Sequence, residues 1–246
     1  MKANNYNTSG SRFVFIIPVY NHAARIADVV SRARSTGIPV IVVDDGSTDA
    51  TADALSRIEG ITLIRHETNR GKGAALKTGM ARAAGVADWA ITVDADGQHD
   101  PAEAGELIRA LHGKGRAIVL GVRKNMVGPD VPWTSSFGRK FSNFWVWVSG
   151  GPLVRDTQSG FRIYPVPETL ELNVRADRFQ YEVEVIARAG WKGLPVLEAL
   201  VGVSYRPGME RVSHFRPFVD FMRNSGTFAR LINQRIFIPR FIRKRM

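Results

Sequence analysis

The stretch FVFIIPVYNHAARIADVVSRARSTGIPVIVVDDGSTD (residues 13–49) decides the fold class. It begins with an apolar run at 13–17, continues with a helix-like stretch at 23–35, and reaches a second apolar run at 40–43. Short apolar runs without polar alternation are typical of strands buried on both faces. A strand, a helix and a second strand at this spacing predict a βαβ unit with parallel strands.

The same alternation continues along the first half of the chain. Further apolar runs lie at 61–64, 89–93 and 117–120, and helix-like stretches lie between them at 49–58, 73–84 and 102–112. A later helix is predicted over 179–189. The aromatic stretch at 141–154 has no clear assignment, and RDTQSGFRIYP (155–165) reads as a polar turn. We therefore predict an α/β protein with a Rossmann-like, doubly wound and mostly parallel sheet.

Composition restricts the class of protein. The 246 residues are 44% hydrophobic and 23% charged, which is typical of a globular domain. The chain has no cysteine, which excludes a disulfide framework and thiolate zinc sites. The polar N-terminus lacks the apolar segment of a secretory signal, and no apolar run approaches the roughly 20 residues needed to span a bilayer. We expect a cytoplasmic protein.

The positive charge is concentrated at the C-terminus. Residues 221–246 supply seven of the eleven net positive charges and contain no acidic residue. Apolar positions alternate with these arginines over 217–246, which predicts an amphipathic helix up to Pro239 that contacts an anionic membrane surface. The alternative is that the tail packs on the domain. A nucleic-acid partner is not expected, because the charge lies in an apolar tail and not in a stripe across the fold.

Carboxylates follow several of the predicted strands. Asp44, Asp45 and Asp49 come after the second strand, and Asp94 and Asp96 after the fourth. In doubly wound sheets ligands bind at the carboxyl ends of the strands, so we predict that these five carboxylates form one rim. On the DADGQH loop, Asp94, Asp96 and Gln98 offer the oxygen ligands that suit Mg²⁺ or Mn²⁺.

Six motifs in order carry a resemblance to a known family: PVYN (18–21), VVDDGSTD (42–49), NRGKGAAL (69–76), VDADGQHDP (93–101), GVR (121–123) and DTQSGFR (156–162). The chain resembles family 2 inverting glycosyltransferases of the GT-A fold, and especially dolichol-phosphate mannose synthases and related polyprenyl-phosphate sugar transferases. The resemblance covers residues 12–215, and it leaves 216–246 as a membrane-contacting extension.

The resemblance implies a role for each matching residue. One group contacts the nucleotide of the donor: Pro18, Tyr20, Asn21, Asp44, Asp45 and Lys72. A second group, Asp94, Asp96 and Gln98, binds the metal ion that bridges the donor diphosphate. A third group handles the acceptor and the closing turn: Arg123, Arg139, Asp156, Ser159, Gly160 and Arg162. Where the family often has a Ser-Lys pair, this chain has Ser213 and His214, and Arg211 is expected to compensate.

The expected reaction is metal-dependent transfer of a sugar from a nucleotide sugar to a lipid acceptor such as polyprenyl phosphate, at the inner membrane face. The family commonly has glutamate where this chain has His22, so a UDP donor is considered beside a GDP donor. An anionic phosphate acceptor needs no base, whereas a hydroxyl acceptor would need one, with Glu182 as the candidate. Because no spanning segment is expected in this chain, any membrane anchor would be supplied by a membrane-protein partner.

Two rival classes stay open beside the transferase. A peripheral lipid-binding module would explain the tail but leave the oxygen ligands without a use. A haloacid-dehalogenase-type phosphatase also uses Asp-x-Asp, but after its first strand, whereas the pair here follows the fourth. The P-loop and dinucleotide fingerprints both fail on spacing.

Overall fold

The computed structural model describes residues 10–124, 133–203 and 217–243. Within these ranges seven strands form one sheet: β1 (Phe13–Val19), β2 (Val40–Asp44), β3 (Thr62–Arg65), β4 (Trp89–Thr92), β5 (Ile118–Arg123), β6 (Arg162–Pro165) and β7 (Val196–Val201). Their order across the sheet is β3-β2-β1-β4-β6-β5-β7. All five strands expected from the sequence are present, and the predicted doubly wound, mostly parallel sheet is confirmed.

Strand β6 is the exception to the parallel arrangement. It lies between β4 and β5 and runs antiparallel to both, with Arg162 opposite Thr92 and Leu120. Because β6 runs the other way, its first residues lie at the carboxyl end of β4. The segment before β6 is thereby brought to the edge of the sheet where ligands bind in this architecture.

Helices cover both faces of the sheet. They are α1 (Ala23–Ser35), α2 (Thr51–Ser56), α3 (Lys72–Ala83), α4 (Ala104–Ala110), α5 (Trp133–Val148), α6 (Val166–Glu171), α7 (Tyr181–Lys192), α8 (Pro217–Phe237) and α9 (Arg240–Arg243), with a 3₁₀ turn at Pro101–Glu103. Along β1, Phe13, Phe15 and Ile17 belong to the core under α1 and α4, while Val14 and Ile16 belong to the core under α3 and α7. This period of two buries both faces of the strand, as its apolar sequence predicts.

The C-terminal helix α8 packs on the domain. Phe228 and Leu231 are buried, and the Phe228 ring stacks near Trp145 of α5 with 6.5 Å between centroids. Arg235 donates to the carbonyls of Trp147 and Val148, at the C-terminus of α5, where a cation is favoured. The helix ends at Phe237, so the predicted amphipathic helix is confirmed, and one part of its apolar face is covered by α5 and α7. The predicted boundary at 215/216 lies outside the described residues.

One expectation about the second half needs correction: the stretch read as a polar turn, 155–165, ends in β6. The aromatic stretch, which had no assignment, belongs mostly to α5. Strand β6 (RIYP) begins with arginine and β7 (VLEALV) is interrupted by Glu198, so neither has the uninterrupted apolar run by which the other strands were recognised. No helix in the described ranges is long and apolar enough to cross a membrane.

Candidate active site

The ends of β1 and β2 are tied together by one asparagine. Asn21 has a positive φ of 53°, and its Oδ1 accepts from the amide of Thr48 at 2.8 Å. The backbone amide of Asn21 donates to Ser47 Oγ at 3.0 Å. Pro18 is buried inside β1, and Tyr20 is partly exposed at the strand end. The predicted nucleotide residues of this strand therefore lie together, with Asn21 holding the loop after β2.

Asp45 organises the loop that precedes α3. Its carboxylate accepts from the amides of Arg70 at 3.0 Å and Gly71 at 2.7 Å, and its Oδ1 lies 2.7 Å from His66 Nδ1. The other ring nitrogen of His66 lies 2.9 Å from Thr78 Oγ1. Asp45 is nearly inaccessible, so its bonds fix the chain that leads into α3. Sequence reasoning missed His66, although a histidine directly after β3 was a readable signal.

The other two carboxylates of the DDGSTD loop are also occupied by the protein. Asp44 Oδ1 accepts from the amide of Ser47 at 2.9 Å, and its Oδ2 lies 3.4 Å from Arg65 Nε. Asp49 Oδ1 accepts from the amide of Thr51 in the first turn of α2. These three aspartates lie at or just after the carboxyl end of β2, as predicted, and each of them accepts from backbone amides of the loops.

Lys72 lies between two carboxylates at the centre of the site. Its Nζ is 2.6 Å from Asp94 Oδ1 and 2.7 Å from Glu182 Oε1. Burial alone would lower the pKa of Lys72, but the charges of Asp94 and Glu182 outweigh burial and raise that pKa. Burial likewise opposes ionisation of Asp94, yet Lys72 keeps the pKa of Asp94 below its ordinary value. Both groups are therefore charged at neutral pH.

A glycine gives Asp94 its position. A Cβ at Gly160 would lie 2.3 Å from Asp94 Oδ2, so any side chain there would displace the carboxylate. The carbonyl of Gly160 accepts from Thr92 Oγ1 at 2.8 Å, which ties the turn before β6 to the end of β4. The DTQSG turn and the DADGQH loop are thus in direct contact.

Asp96 and Gln98 lie on the partly exposed side of the same loop. The amide of Gln98 donates to Asp96 Oδ1 at 3.0 Å, across Gly97, whose φ is 73°. Within the described residues no group of three or more His, Asp or Glu side chains is arranged around a single metal position. Carboxylate and amide oxygens are the ligand types that a hard cation takes together with water and substrate oxygens, and Asp94 on this loop is held by Lys72.

Arg123, at the end of β5, makes a two-point contact with Asp156. Its Nε and Nη2 donate to the two carboxylate oxygens at 2.7 and 2.9 Å, and the Asp156 side chain is 0% exposed. Burial would raise the pKa of Asp156, but the hydrogen bonds and charge of Arg123, with a contribution from Arg139, lower it. The two arginines predicted to meet the acceptor phosphate therefore lie near the same carboxylate.

Arg162 lies beneath the turn and is 0% exposed. Its guanidinium donates to the carbonyls of Ser159 at 2.6 Å, Thr157 at 2.8 Å and Glu182 at 2.9 Å. It also donates to Tyr164 Oη at 3.1 Å. These contacts hold the turn to the start of α7. Arg162 is therefore a buried residue that positions the turn, and it does not lie on the surface of the site.

The remaining predicted residues, Arg211 and Ser213, lie outside the described residues, as does His214. His99, on the DADGQH loop, is buried, with Nδ1 3.2 Å from the carbonyl of Gly202. Its ring packs near Phe161 at 5.4 Å between centroids. Burial is the main reason that the pKa of His99 lies below its usual value.

The site joins an oxygen-rich loop, a buried lysine and an arginine-bearing turn at the carboxyl ends of the strands. This sheet and loop arrangement is the GT-A type of glycosyltransferase fold. A solved glucosyl-3-phosphoglycerate synthase from Mycobacterium tuberculosis, in complex with Mn²⁺, UDP and phosphoglyceric acid, superposes with a TM-score of 0.69 at 21% identity, covering 94% of this chain and 80% of that one.

The sequence comparisons give the family. The model of glycosyl transferase family 2 matches residues 14–166. A UDP-N-acetylglucosamine–dolichyl-phosphate N-acetylglucosaminyltransferase of Methanococcus voltae is 31% identical over 212 residues, covering 77% of this chain and 84% of the relative. A dolichyl-phosphate β-glucosyltransferase of Drosophila melanogaster is 29% identical, covering 76% of this chain and 65% of its own. The chain belongs to glycosyl transferase family 2 and is a glycosyltransferase.

Proposed function

We propose that the protein transfers a sugar from a nucleotide sugar, with UDP as the first candidate nucleotide, to the phosphate of a polyprenyl lipid. The observation that carries the proposal is the DADGQH loop in contact with the DTQSG turn, beside Lys72 and Arg123. The names of the dolichyl-phosphate relatives support the lipid phosphate acceptor. The lack of a described spanning helix is compatible with an acceptor that is reached from the membrane surface.

The donor is proposed to lie across the ends of β1, β2 and β4. The nucleotide would sit over Tyr20 and the loop that Asn21 and Asp45 hold in place, and its diphosphate would point towards Lys72. Those loops are already bonded to each other, so little ordering is required when the donor binds. This pre-formed cradle supports a small organic donor over a flexible macromolecule.

Mg²⁺ or Mn²⁺ is proposed to be held by Asp96 and Gln98, and its role when bound is to neutralise the leaving diphosphate as a Lewis acid. Asp94 is proposed to orient Lys72 and not to bind the ion directly, because its Oδ1 is 2.6 Å from the ammonium. Lys72 then adds a fixed positive charge at the diphosphate. The solved synthase that holds Mn²⁺ with UDP supports a divalent ion in this fold.

The acceptor phosphate is proposed to lie against Arg123 and Arg139. Charged guanidinium groups bind phosphate well, and Asp156 keeps Arg123 in one orientation. In the transfer step, a phosphate oxygen of the acceptor forms a bond to the anomeric carbon while the bond from that carbon to the donor diphosphate breaks. The nucleoside diphosphate leaves with the electron pair, and no proton has to be removed from the acceptor.

A hydroxyl acceptor with Glu182 as general base is the less supported alternative. Glu182 Oε1 is bonded to Lys72 at 2.7 Å, and this side chain is largely buried. A base must reach the proton that it removes, and this oxygen is already engaged by a cation. The phosphate acceptor avoids that requirement.

The membrane-facing surface is proposed to be the outer side of α5, α8 and α9. Exposed apolar side chains lie there: Phe144, Trp147, Met222, Ile236, Phe237, Phe241 and Ile242. Arginines and apolar groups together suit an anionic interface. Sedimentation with phosphatidylglycerol vesicles is expected to exceed that with phosphatidylcholine vesicles, and equal sedimentation would contradict this surface.

Thermal stabilisation by nucleoside diphosphates tests the donor site. A ligand that binds only the folded chain stabilises it and so raises the melting temperature. At a free ligand concentration of a hundred times Kd, the added stability is about 2.7 kcal/mol. We expect a shift with UDP that requires Mn²⁺ and is absent in Asp96→Asn. A shift that is equal without Mn²⁺, or equal in the variant, would contradict the proposed metal role.

A further inference from the structure

A buried ionic contact joins α8 to the rest of the domain. Glu184, on α7, has no exposed surface, and its carboxylate accepts from Arg230 of α8 at 2.6 Å and from Arg188 at 2.7 Å. The same carboxylate accepts from the amides of Arg175 at 3.2 Å and Ala176 at 3.0 Å. Donors from α7, from α8 and from the chain before α7 therefore meet at one carboxylate.

The segment that carries two of these amides, residues 172–178, lies directly against the start of α3. The amide of Ala74 donates to the carbonyl of Asp177 at 2.8 Å. The approach is close, since a Cβ at Gly73 would lie 2.8 Å from the carbonyl carbon of Asp177. Lys72 is the first residue of α3, so the 172–178 segment fixes the backbone that carries its ammonium group.

We propose that Arg230 and Glu184 are positioning residues of the active site. Arg230 holds Glu184, Glu184 holds the 172–178 segment, and that segment holds α3 so that Lys72 lies between Asp94 and Glu182. Removing Arg230 takes away one of the two cations that compensate this buried carboxylate, and the carboxylate then shifts towards water or another donor. The C-terminal helix is on this view part of the catalytic unit, and it acts on the site through Glu184 and the 172–178 segment.

The inference rests on the proposed function only for what Lys72 does to a donor. Its mechanical part is tested without any ligand, by amide hydrogen exchange in Arg230→Met, which keeps an apolar stem and removes the charge. Arg240→Met is the matched control, because it removes one exposed arginine of the C-terminal segment. We expect faster exchange at the amides of Ala176 and Ala74 in the first variant alone. Unchanged exchange at these amides would overturn the inference.

Kinetics separate positioning from a merely structural contact. A misplacement of about 1 Å at a reacting group can lower the rate on the order of 100-fold, so we expect kcat/KM for the donor to fall 10- to 100-fold in Arg230→Met. The KM of the acceptor is expected to stay unchanged. Arg230→Lys keeps the positive charge and is expected to recover part of the loss. This variant also tests the role of Arg230 if Arg230→Met does not fold.

Two other results have distinct meanings. Unchanged donor kinetics in Arg230→Met despite faster exchange would overturn the positioning role. If the wild-type chain binds no nucleotide at all, the proposed function fails, and the exchange result alone then decides whether α8 holds the start of α3.

Discussion

Replacing Lys72 by methionine removes the cation between Asp94 and Glu182 and leaves two carboxylates facing each other. Breaking a buried ion pair by removing one partner costs about 3–5 kcal/mol, because it leaves uncompensated charge. The Asp94 side chain is 27% exposed, and water screens part of this penalty, so the lower end of about 3 kcal/mol applies. For a chain of this size about 3 kcal/mol corresponds to a melting temperature roughly 6–12 °C lower.

Urea unfolding measures this loss, with an unchanged m-value showing that only stability has altered. Lys77→Met is the matched control: Lys77 lies on the same helix and pairs with the exposed Asp177, so a cost of at most about 1 kcal/mol is expected. Mn²⁺ is expected to restore more stability to Lys72→Met than to the wild type, since a second cation can then neutralise Asp94. A loss below about 1 kcal/mol for Lys72→Met would refute the assignment of the lysine as the counter-ion.

Two further predictions concern the turn before β6. Gly160→Ala is expected to displace the Asp94 carboxylate and to lower activity on the order of 100-fold, whereas Gly85→Ala, which has open space, leaves steady-state activity unchanged; equal activities would contradict the close contact. The pKa of Asp156 is lowered by Arg123 against the effect of burial, so the pair stabilises the fold fully above the unfolded carboxyl pKa of about 4 and loses this as the pH falls through the lower folded value. In Asp156→Asn, urea midpoints are expected to vary less below about pH 4, and identical acid profiles would count against the pair.

The sequence predicted the sheet well because its strands are buried on both faces. Each apolar run, such as 13–17 or 40–43, is long enough to be recognised without knowledge of its neighbours. Strand β6 is different: it begins with arginine, ends in proline, and is inserted antiparallel between two strands that are distant from it in sequence. Its place depends on tertiary pairing, which no local pattern encodes.

The candidate site could likewise be predicted only in part. Lys72, Asp94 and Glu182 were each singled out from the sequence, but their mutual contact joins three separate elements and could not be read from spacing. The positions of the carboxylates after the strands could be predicted, but their partners could not, because a carboxylate there accepts from loop amides as readily as it binds a ligand, as Asp45 does.

The buried ionic contact of α8 was only partly readable. Glu184 and Arg188 have the i, i+4 spacing of a helical ion pair, which is ordinarily a surface feature. Nothing local distinguishes Glu184 from Glu182, two residues earlier on the same helix. What distinguishes them is the packing of α8, which supplies Arg230, and the 172–178 segment, which supplies two amides.

Sugar transfer itself tests the central claim most directly. The assay supplies labelled UDP-glucose, UDP-N-acetylglucosamine or a GDP-linked sugar, with polyprenyl phosphate in vesicles and Mn²⁺, and measures label in the lipid. We expect labelled lipid with at least one donor for the wild type and for Asp53→Asn, which changes an exposed carboxylate on α2, and none for Asp96→Asn. Absence of transfer from every donor, or equal transfer by Asp96→Asn, would contradict a metal-dependent lipid-phosphate glycosyltransferase.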